Sequence, residues 1–406
     1  MRKHPAEEMD MSVKKKVNVL ENIAKTVNCY LNDGTVKPEY TVKKIYARYP
    51  ETVVCAMYSN AAKTYFAITP TNISISTDGV TFTPQIDYKD SAPFLVEDYS
   101  DEKVTVTVIA GDTAGITLYN TMKKEQLKYY LTCGVVHCGR LFGADELTLR
   151  WSGTGGFNDW SEGIGNSGYL LLDHAKGRVL NLLVYKGKLV AVRERGLTVF
   201  DMCGSPQNFS VNRTDADCDG ITQHTACVVS DKLYFLSASG LKCFDGAKIS
   251  PVAVGYTVVE ANCAVGYAGR YFLACFVKEL DRTVILCVDS ASGKSFVIDA
   301  SADTMFIKDG VRFFGPEGYM MLEQGGTYLV ESGLIDFGND KNKTVKEIKV
   351  TGEAEICLSN GRIKRRFYVN DGVVRLKMRG KQFKVTATGR SILKDIEMTA
   401  EVMDVI

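Results

Sequence analysis

Two stretches of the chain, LVYKGKLVAVRERGLTVFD (183–201) and VVSDKLYFLSASGLKCFD (228–245), follow one plan. Each begins with an apolar run, turns at Gly187 or Asp231, and resumes with alternating apolar residues. Each then turns again into Gly-Leu-x-x-Phe-Asp at Gly196 or Gly240. Alternation with tight polar turns is the pattern of paired β-strands. The first turns lie 44 residues apart, and so do the second glycines. Chance alternation does not hold two features in phase, so the segment is a repeat.

The same turn recurs outward from this pair. Strand–turn–strand patterns centre on Asn60, Asp101, Gly139, Gly187, Asp231, Gly269 and Gly310, at spacings of 38 to 48 residues. A period of about 40 to 45 residues carrying four strands is that of a β-propeller blade. A lone four-stranded sheet has two apolar faces and covers neither, whereas radial stacking buries face against face and ring closure limits open edges. The expected fold is all-β, a β-propeller of about seven blades over residues 51–338. One blade is read as 179–185, 188–193, 196–201 and 207–212. A β-sandwich with coincidental spacing is the alternative.

The ends break the rhythm. Val13, Val17, Leu20, Ala24 and Val27 recur at three- and four-residue steps before Asn32-Asp33-Gly34. That spacing predicts a short amphipathic helix within an N-terminal arm, residues 1–50. Beyond Lys341 come longer alternating strands, expected as a basic, β-sandwich-like module over 339–406. From Asp340 onward 15 basic residues face 9 acidic ones, a net +6, while the rest of the chain carries −5. Arg362, Lys364, Arg365, Arg366, Arg375, Lys377, Arg379 and Lys381, with Phe367, Tyr368 and Phe383 nearby, could meet a nucleic-acid backbone. Strand alternation should split these charges between two faces, which favours a surface or subunit contact.

Composition removes other classes. With 406 residues, 45% hydrophobic and 24% charged, the chain is neither disordered nor collagen-like. The overall net charge of +1 gives no global attraction to a polyanion or anionic membrane. No apolar run is long enough for a membrane span, and the N-terminal residues do not read as a secretory signal. Twelve scattered cysteines are therefore expected as reduced, mostly buried thiols.

Several motifs suggest chemistry. Asp215-Ala-Asp217-Cys-Asp219-Gly220 matches the opening of a calcium loop, but Ala226 stands where a bidentate Glu belongs, so a polar turn is the favoured reading and calcium the alternative. Ser76-Thr-Asp78-Gly79 resembles an Asp-box hairpin, in which Ser and Asp satisfy the turn's own amides. Cys133-x3-His137-Cys138 and Cys218-x5-His224-x2-Cys227 lack the paired Cys-x2-Cys spacing of structural zinc sites and read as buried thiols. GTGGF (153–157) reads as a loop. No catalytic residues, cofactor or confident metal site emerge.

RLFGADELTLRWSGTGGFNDWSEG (140–163), LLVYKGKLVAVRERGLTVF (182–200) and the stretch SPQNFSV…DGITQHTACVVSDKLYFLSASGLKCFDG (205–246) occur in an order that resembles bacteriophage virion proteins of the propeller type, those of tail nozzles and head-tail stabilisation. KTVKEIKV…GVVRLKMRGKQFKV looks like their closing strands. The resemblance covers about 140–385 and no opening like theirs is found in residues 1–50. It implies a structural protein without enzymatic activity, folded in the host cytoplasm. There it would join a ring of copies around the DNA channel at the head-tail or tail-tip junction, beside other tail or portal proteins. The competing expectation is a carbohydrate-binding or glycan-cleaving propeller for host-receptor recognition, motivated by the Asp78 hairpin and by Trp151 and Trp160 as exposed aromatics. A third is an intracellular interaction scaffold.

Overall fold

The computed structural model describes residues 12–403, apart from 33, 51, 89–92, 101–102, 119–120, 162 and 164. The chain divides into two compact units, one of residues 42–295 and 300–322, the other of 1–41, 296–299 and 323–406. The described residues are strands joined by turns, with three single-turn 3-10 helices and no α-helix.

The first unit is a β-propeller. Among the described residues six small sheets and one run of four strands from a larger sheet, Val258–Tyr267 to Ser295–Ile298, follow one another along the chain as blades, and each begins with one of the seven expected hairpins. The turn at Asp101 lies outside the described residues, but the strands on either side pair up to Ser100 and Lys103. Blade 4 consists of Val179–Tyr185, Lys188–Arg193, Gly196–Asp201 and Ser210–Asp217, so only its fourth strand starts later than expected. The recurring glycine has a conformational cause. Lys186–Gly187, Cys138–Gly139 and Ala268–Gly269 each place two successive residues at positive φ, with the glycine near +72°. That is the type I′ turn whose twist matches antiparallel strands.

Each blade face is half of a core. On a strand, residues three apart point to opposite faces. Phe200 packs with Phe142 and Leu149 of blade 3, while Leu197 packs with Leu233, Phe235 and Phe244 of blade 5. The spacing Leu-x-x-Phe therefore serves two cores from one strand. Further round, Tyr234 stacks on Tyr271 at 5.5 Å, and Asn262 donates to the Ala302 carbonyl at 3.0 Å. The ring closes where the Ala56 amide of blade 1 donates to Thr304 Oγ1 of blade 7 at 3.1 Å. Phe306, Phe314 and Tyr319 of blade 7 pack there with Tyr65 and Phe82 of blade 1. The fourth strand of blade 7, Tyr40–Lys44, comes from before blade 1, and the Ile45 amide continues the ladder to the Tyr319 carbonyl at 2.8 Å. An edge strand drawn from the other end of the sequence fastens the ring.

Arg193, wholly buried at the end of its strand, pins the loop between blades 3 and 4. Its guanidinium donates to the Gly177 carbonyl at 2.8 and 3.1 Å and to the Asp173 carbonyl, and meets Asp173 Oδ2 at 3.2 Å. Arg193→Ala removes the charged donor from both carbonyls and from Asp173 and should lower stability by about 3 kcal/mol in denaturant unfolding. A loss below about 1 kcal/mol would mean that water replaces those bonds.

The second unit corrects the reading of both ends. Residues 13–31 form no amphipathic helix. They are strands Ser12–Asn18, Ile23–Val27 and Cys29–Asn32, with a single 3-10 turn at Leu20–Asn22. The expected N-terminal arm and C-terminal module are not separate either. Ser12–Asn18 pairs antiparallel with Leu393–Met403, register Val17↔Met398. The Lys343–Ser359 strand pairs with Leu393–Met403, with Lys384–Gly389 and, along its length, with Lys364–Gly380. The core of this unit holds Val345, Ile348, Ile356, Met398 and Ala400 from the later strands, and Val19, Leu20 and Val36 from the first forty residues. The helical spacing lost because Val and Thr favour strands and a partner strand supplies hydrogen bonds that an isolated short helix lacks.

Candidate functional site

Alternation along the paired strands of the second unit buries one face and leaves the other charged. In antiparallel register, directly opposed residues share a face. One cross-strand row therefore reads Lys16, Thr399, Glu347, Arg375, and a second reads Lys14, Glu401, Thr344, Arg379. All but Thr344 and Arg379 of these residues line a trough of about 620 Å³, together with Lys346 and Lys377. Three inter-strand steps separate the rims, roughly 14 Å. Along the middle, carboxylates are already matched: Lys346 Nζ sits 2.6 Å from Glu401 Oε2, and Lys16 Nζ lies 2.9 Å from Glu397 Oε1. Those contacts hold the Glu401 carboxyl below its ordinary value and the Lys16 ammonium above its own. Among the described residues no ion pair engages Lys14, Arg375 or Lys377. Five basic side chains against two acidic ones line the trough, so it has an uncompensated positive field.

The expected basic zone is thus partly assembled. Arg375, Lys377 and Arg379 alternate onto the trough side. Arg365, opposite buried Leu358, and Arg366, opposite Cys357, point to opposite faces, as alternation requires. Of the aromatics, Phe383 is buried against Phe337 and Phe367 is half-buried. Tyr368 is exposed, and its hydroxyl donates to Glu353. The chemistry offered is charge, not base stacking. Lys14 and Lys16 escaped the sequence reading, because nothing in a lysine run reveals that it pairs with a strand some 385 residues later.

Other expected sites resolve into structural roles. Asp217 meets Lys176 Nζ at 3.2 Å, Asp219 accepts from Ser239 Oγ at 2.9 Å, and the Asp215 side chain lies outside the described residues. No group of three or more metal-ligating side chains occurs among the described residues, which do not include the Asp215 side chain of the calcium pattern. Burial pushes the Cys133 thiol up to about 12 and that of Cys227 higher still. The reduced state expected for all cysteines is corrected at one place, where Cys138 and Cys203 form a disulfide. The Trp side chains are not exposed. Trp160 is buried edge-on to Tyr129 at 5.3 Å, and Trp151 packs on Phe209 at 5.3 Å. GTGGF lies in a loop cradled by buried Arg140, which donates to the Ser152, Gly165 and Asn166 carbonyls.

The Asp78 hairpin forms as read. The Val80 and Thr81 amides donate to Asp78 Oδ1 at 2.8 and 2.9 Å, as does Ser76 Oγ at 2.7 Å. These donors hold the Asp78 carboxyl down at about 2. A depressed carboxylate stabilises the fold above its unfolded pKa, and that contribution fades as pH falls from about 4 toward 2. Carboxyl-carbon NMR should find Asp78 titrating near pH 2; a midpoint near 4 would mean that the amides do not hold it.

Comparison with known proteins leaves the fold as the common ground. No protein family and no curated protein matches the chain. Solved propellers do, at low identity. PorZ, a surface component of the type-IX secretion system of Porphyromonas gingivalis, is 10% identical over 82% of this chain with a TM-score of 0.48. The chain spans 56% of PorZ's length. The Neurospora crassa Pan2 WD40 domain is 9% identical over 70% of this chain and 95% of its own, TM-score 0.47. YCF48 bound to D1 peptide is 12% identical over 70% and 94%, TM-score 0.46. The chain is an all-β propeller with a large additional sheet built from both ends of the sequence.

Proposed function

We propose that this chain is a structural, non-enzymatic protein of a bacteriophage or prophage particle, one of a ring of copies around the DNA at the head-tail or tail-tip junction, assembled in the host cytoplasm. The likeness of residues 140–246 and of the C-terminal strands to propeller-type virion proteins supplies the setting. The observation that carries the chemistry is the trough, whose rims present Lys14, Arg375 and Lys377 outside ion-pair distance of any described carboxylate. Rows of cations on a rigid sheet suit the regularly spaced phosphates of a nucleic-acid backbone and read no sequence. The glycan-directed alternative keeps its Asp78 hairpin but loses its exposed aromatics, since Trp160 is buried and Trp151 is half-buried against Phe209.

The test is fluorescence anisotropy of the full chain with a labelled duplex across a salt series. Binding should be independent of sequence and fall steeply with salt. In Lys14→Glu/Arg375→Glu/Lys377→Glu the slope of log K against log salt should flatten by about 2 to 3, with affinity at 50 mM salt at least tenfold lower. An unchanged slope removes the trough from DNA contact. A particle that lacks this protein yet retains its genome and infects removes the virion role.

A further inference from the structure

Three neighbouring seams of the propeller are tied at the same place. The first hairpin turn of one blade meets the loop that follows the third strand of the next. Between blades 4 and 5, Lys186 Nζ donates to the Asp245 carbonyl at 2.7 Å. Between blades 5 and 6, Ser230 Oγ lies 3.1 Å from Ser290 Oγ. Between blades 3 and 4 the corresponding residues are Cys138 and Cys203, joined by the disulfide. At two of the seams this tie is a polar contact, so a covalent bond at the third is not needed to close the ring. Both cysteines are exposed, one in the I′ turn and the other in a loop, where a dissolved thiol can reach them.

The two sulfurs differ in their surroundings. The buried His137 ring approaches Cys138 Sγ with Nδ1 at 3.7 Å and Nε2 at 3.5 Å. Burial lowers the pKa of this imidazole, against the opposing pull of the Asp201 carboxylate, so the ring is neutral at neutral pH. A neutral imidazole carries one N–H, and in either tautomer that N–H lies within reach of Cys138 Sγ. Among the described residues no such donor stands beside Cys203 Sγ. A thiolate that accepts a hydrogen bond leaves more readily from a disulfide, and more of it is present in the reduced pair. The buried thiols are the opposite case, Cys133 being pushed up to about 12.

We infer that the Cys138–Cys203 pair is a thiol–disulfide exchange site, opened by small thiols and closed by small disulfides while the propeller stays folded, with His137 serving the Cys138 sulfur. A thiolate RS⁻ attacks Cys203 Sγ. A new S–S bond forms there as the Cys138–Cys203 bond breaks, and the electron pair leaves on Cys138 Sγ, which accepts the His137 N–H. A second RS⁻ attacks the sulfur of the bound RS group, releasing RSSR and the Cys203 thiolate. The protons given up by the two thiols end on the two cysteines through water. Two thiols are oxidised to one disulfide, and the protein disulfide is reduced to two thiols.

Glutathione and its disulfide, applied to the full chain without denaturant, test this. In millimolar glutathione, alkylation and peptide mapping should find Cys138 and Cys203 modified while buried Cys133, Cys275 and Cys287 are spared, and oxidised glutathione should restore the bond. In Cys203→Ser, Cys138 should take the glutathionyl group from oxidised glutathione at neutral pH at least about tenfold faster than Cys203 does in Cys138→Ser. His137→Phe keeps a ring beside Phe142 but removes the N–H. It should slow the Cys138 reaction by about tenfold and leave the Cys203 reaction unchanged, which a merely structural ring would not do. A bond that opens only on unfolding, equal rates at the two thiols, or a His137→Phe change that spares Cys138 or slows both thiols alike each overturns the inference. None of these outcomes alters the DNA titration, so failure here leaves the virion reading standing.

Discussion

Phe200→Ala should cost about 4 kcal/mol in denaturant unfolding, within the usual range for removing a fully buried phenylalanine. The side chain has no exposed surface and lies between blades 3 and 4 among Phe142, Leu149, Leu182 and Leu189. Two facing sheets cannot close on the void without disturbing their other faces, each committed to a further core, so relaxation is limited. Phe244, at the matching place one blade on, is equally buried and lies between blades 4 and 5, so Phe244→Ala should cost a similar amount. The last residue of the repeated pattern behaves differently. Asp245 Oδ1 accepts from the Ala247 and Lys248 amides at 2.8 and 2.9 Å, so Asp245→Ala should cost about 1 kcal/mol. Asp201 makes a surface ion pair with Lys188 at 3.6 Å, and Asp201→Ala should change stability by less than about 0.5 kcal/mol. If Phe200→Ala costs no more than Asp201→Ala, face-to-face blade packing does not hold this protein together.

That contrast shows what a sequence discloses. Phe200 and Phe244 were legible because burial demands the same residue type at the same phase in each blade, and a period survives without knowledge of partners. The seven hairpins were legible for the same reason, and the fourth strand of blade 4 shifted only because Pro206–Asn208 forms a 3-10 turn first. Pairing between distant strands leaves no such trace. Val13 to Val27 carries a helical spacing, yet Val13, Val17, Ala24 and Val27 lie in strands, because Leu393–Met403 offers an edge to Ser12–Asn18 and Tyr328–Ser332 offers one to Ile23–Val27. The trough depends on that pairing, so only its Arg375, Lys377 and Arg379 side was visible in advance.

The cysteines yield the second large effect. Cys138 lies in the I′ turn that opens blade 3, and Cys203 follows the third strand of blade 4, with Cα atoms 5.4 Å apart and 65 residues between them in sequence. A crosslink of that span restricts the unfolded chain by up to about 4 kcal/mol in the chain-entropy account. Cys138→Ser/Cys203→Ser should therefore lower the thermal midpoint by up to roughly 5 °C. Reductant should bring the parent protein to the same midpoint and leave the double variant unmoved. The other thiols should not complicate this measurement, because burial pushes Cys29, Cys55, Cys263 and Cys275 up to about 12 and keeps them protonated. Identical midpoints with and without reductant, or a non-reduced peptide map lacking the Cys138–Cys203 pair, would remove the crosslink from the account of stability.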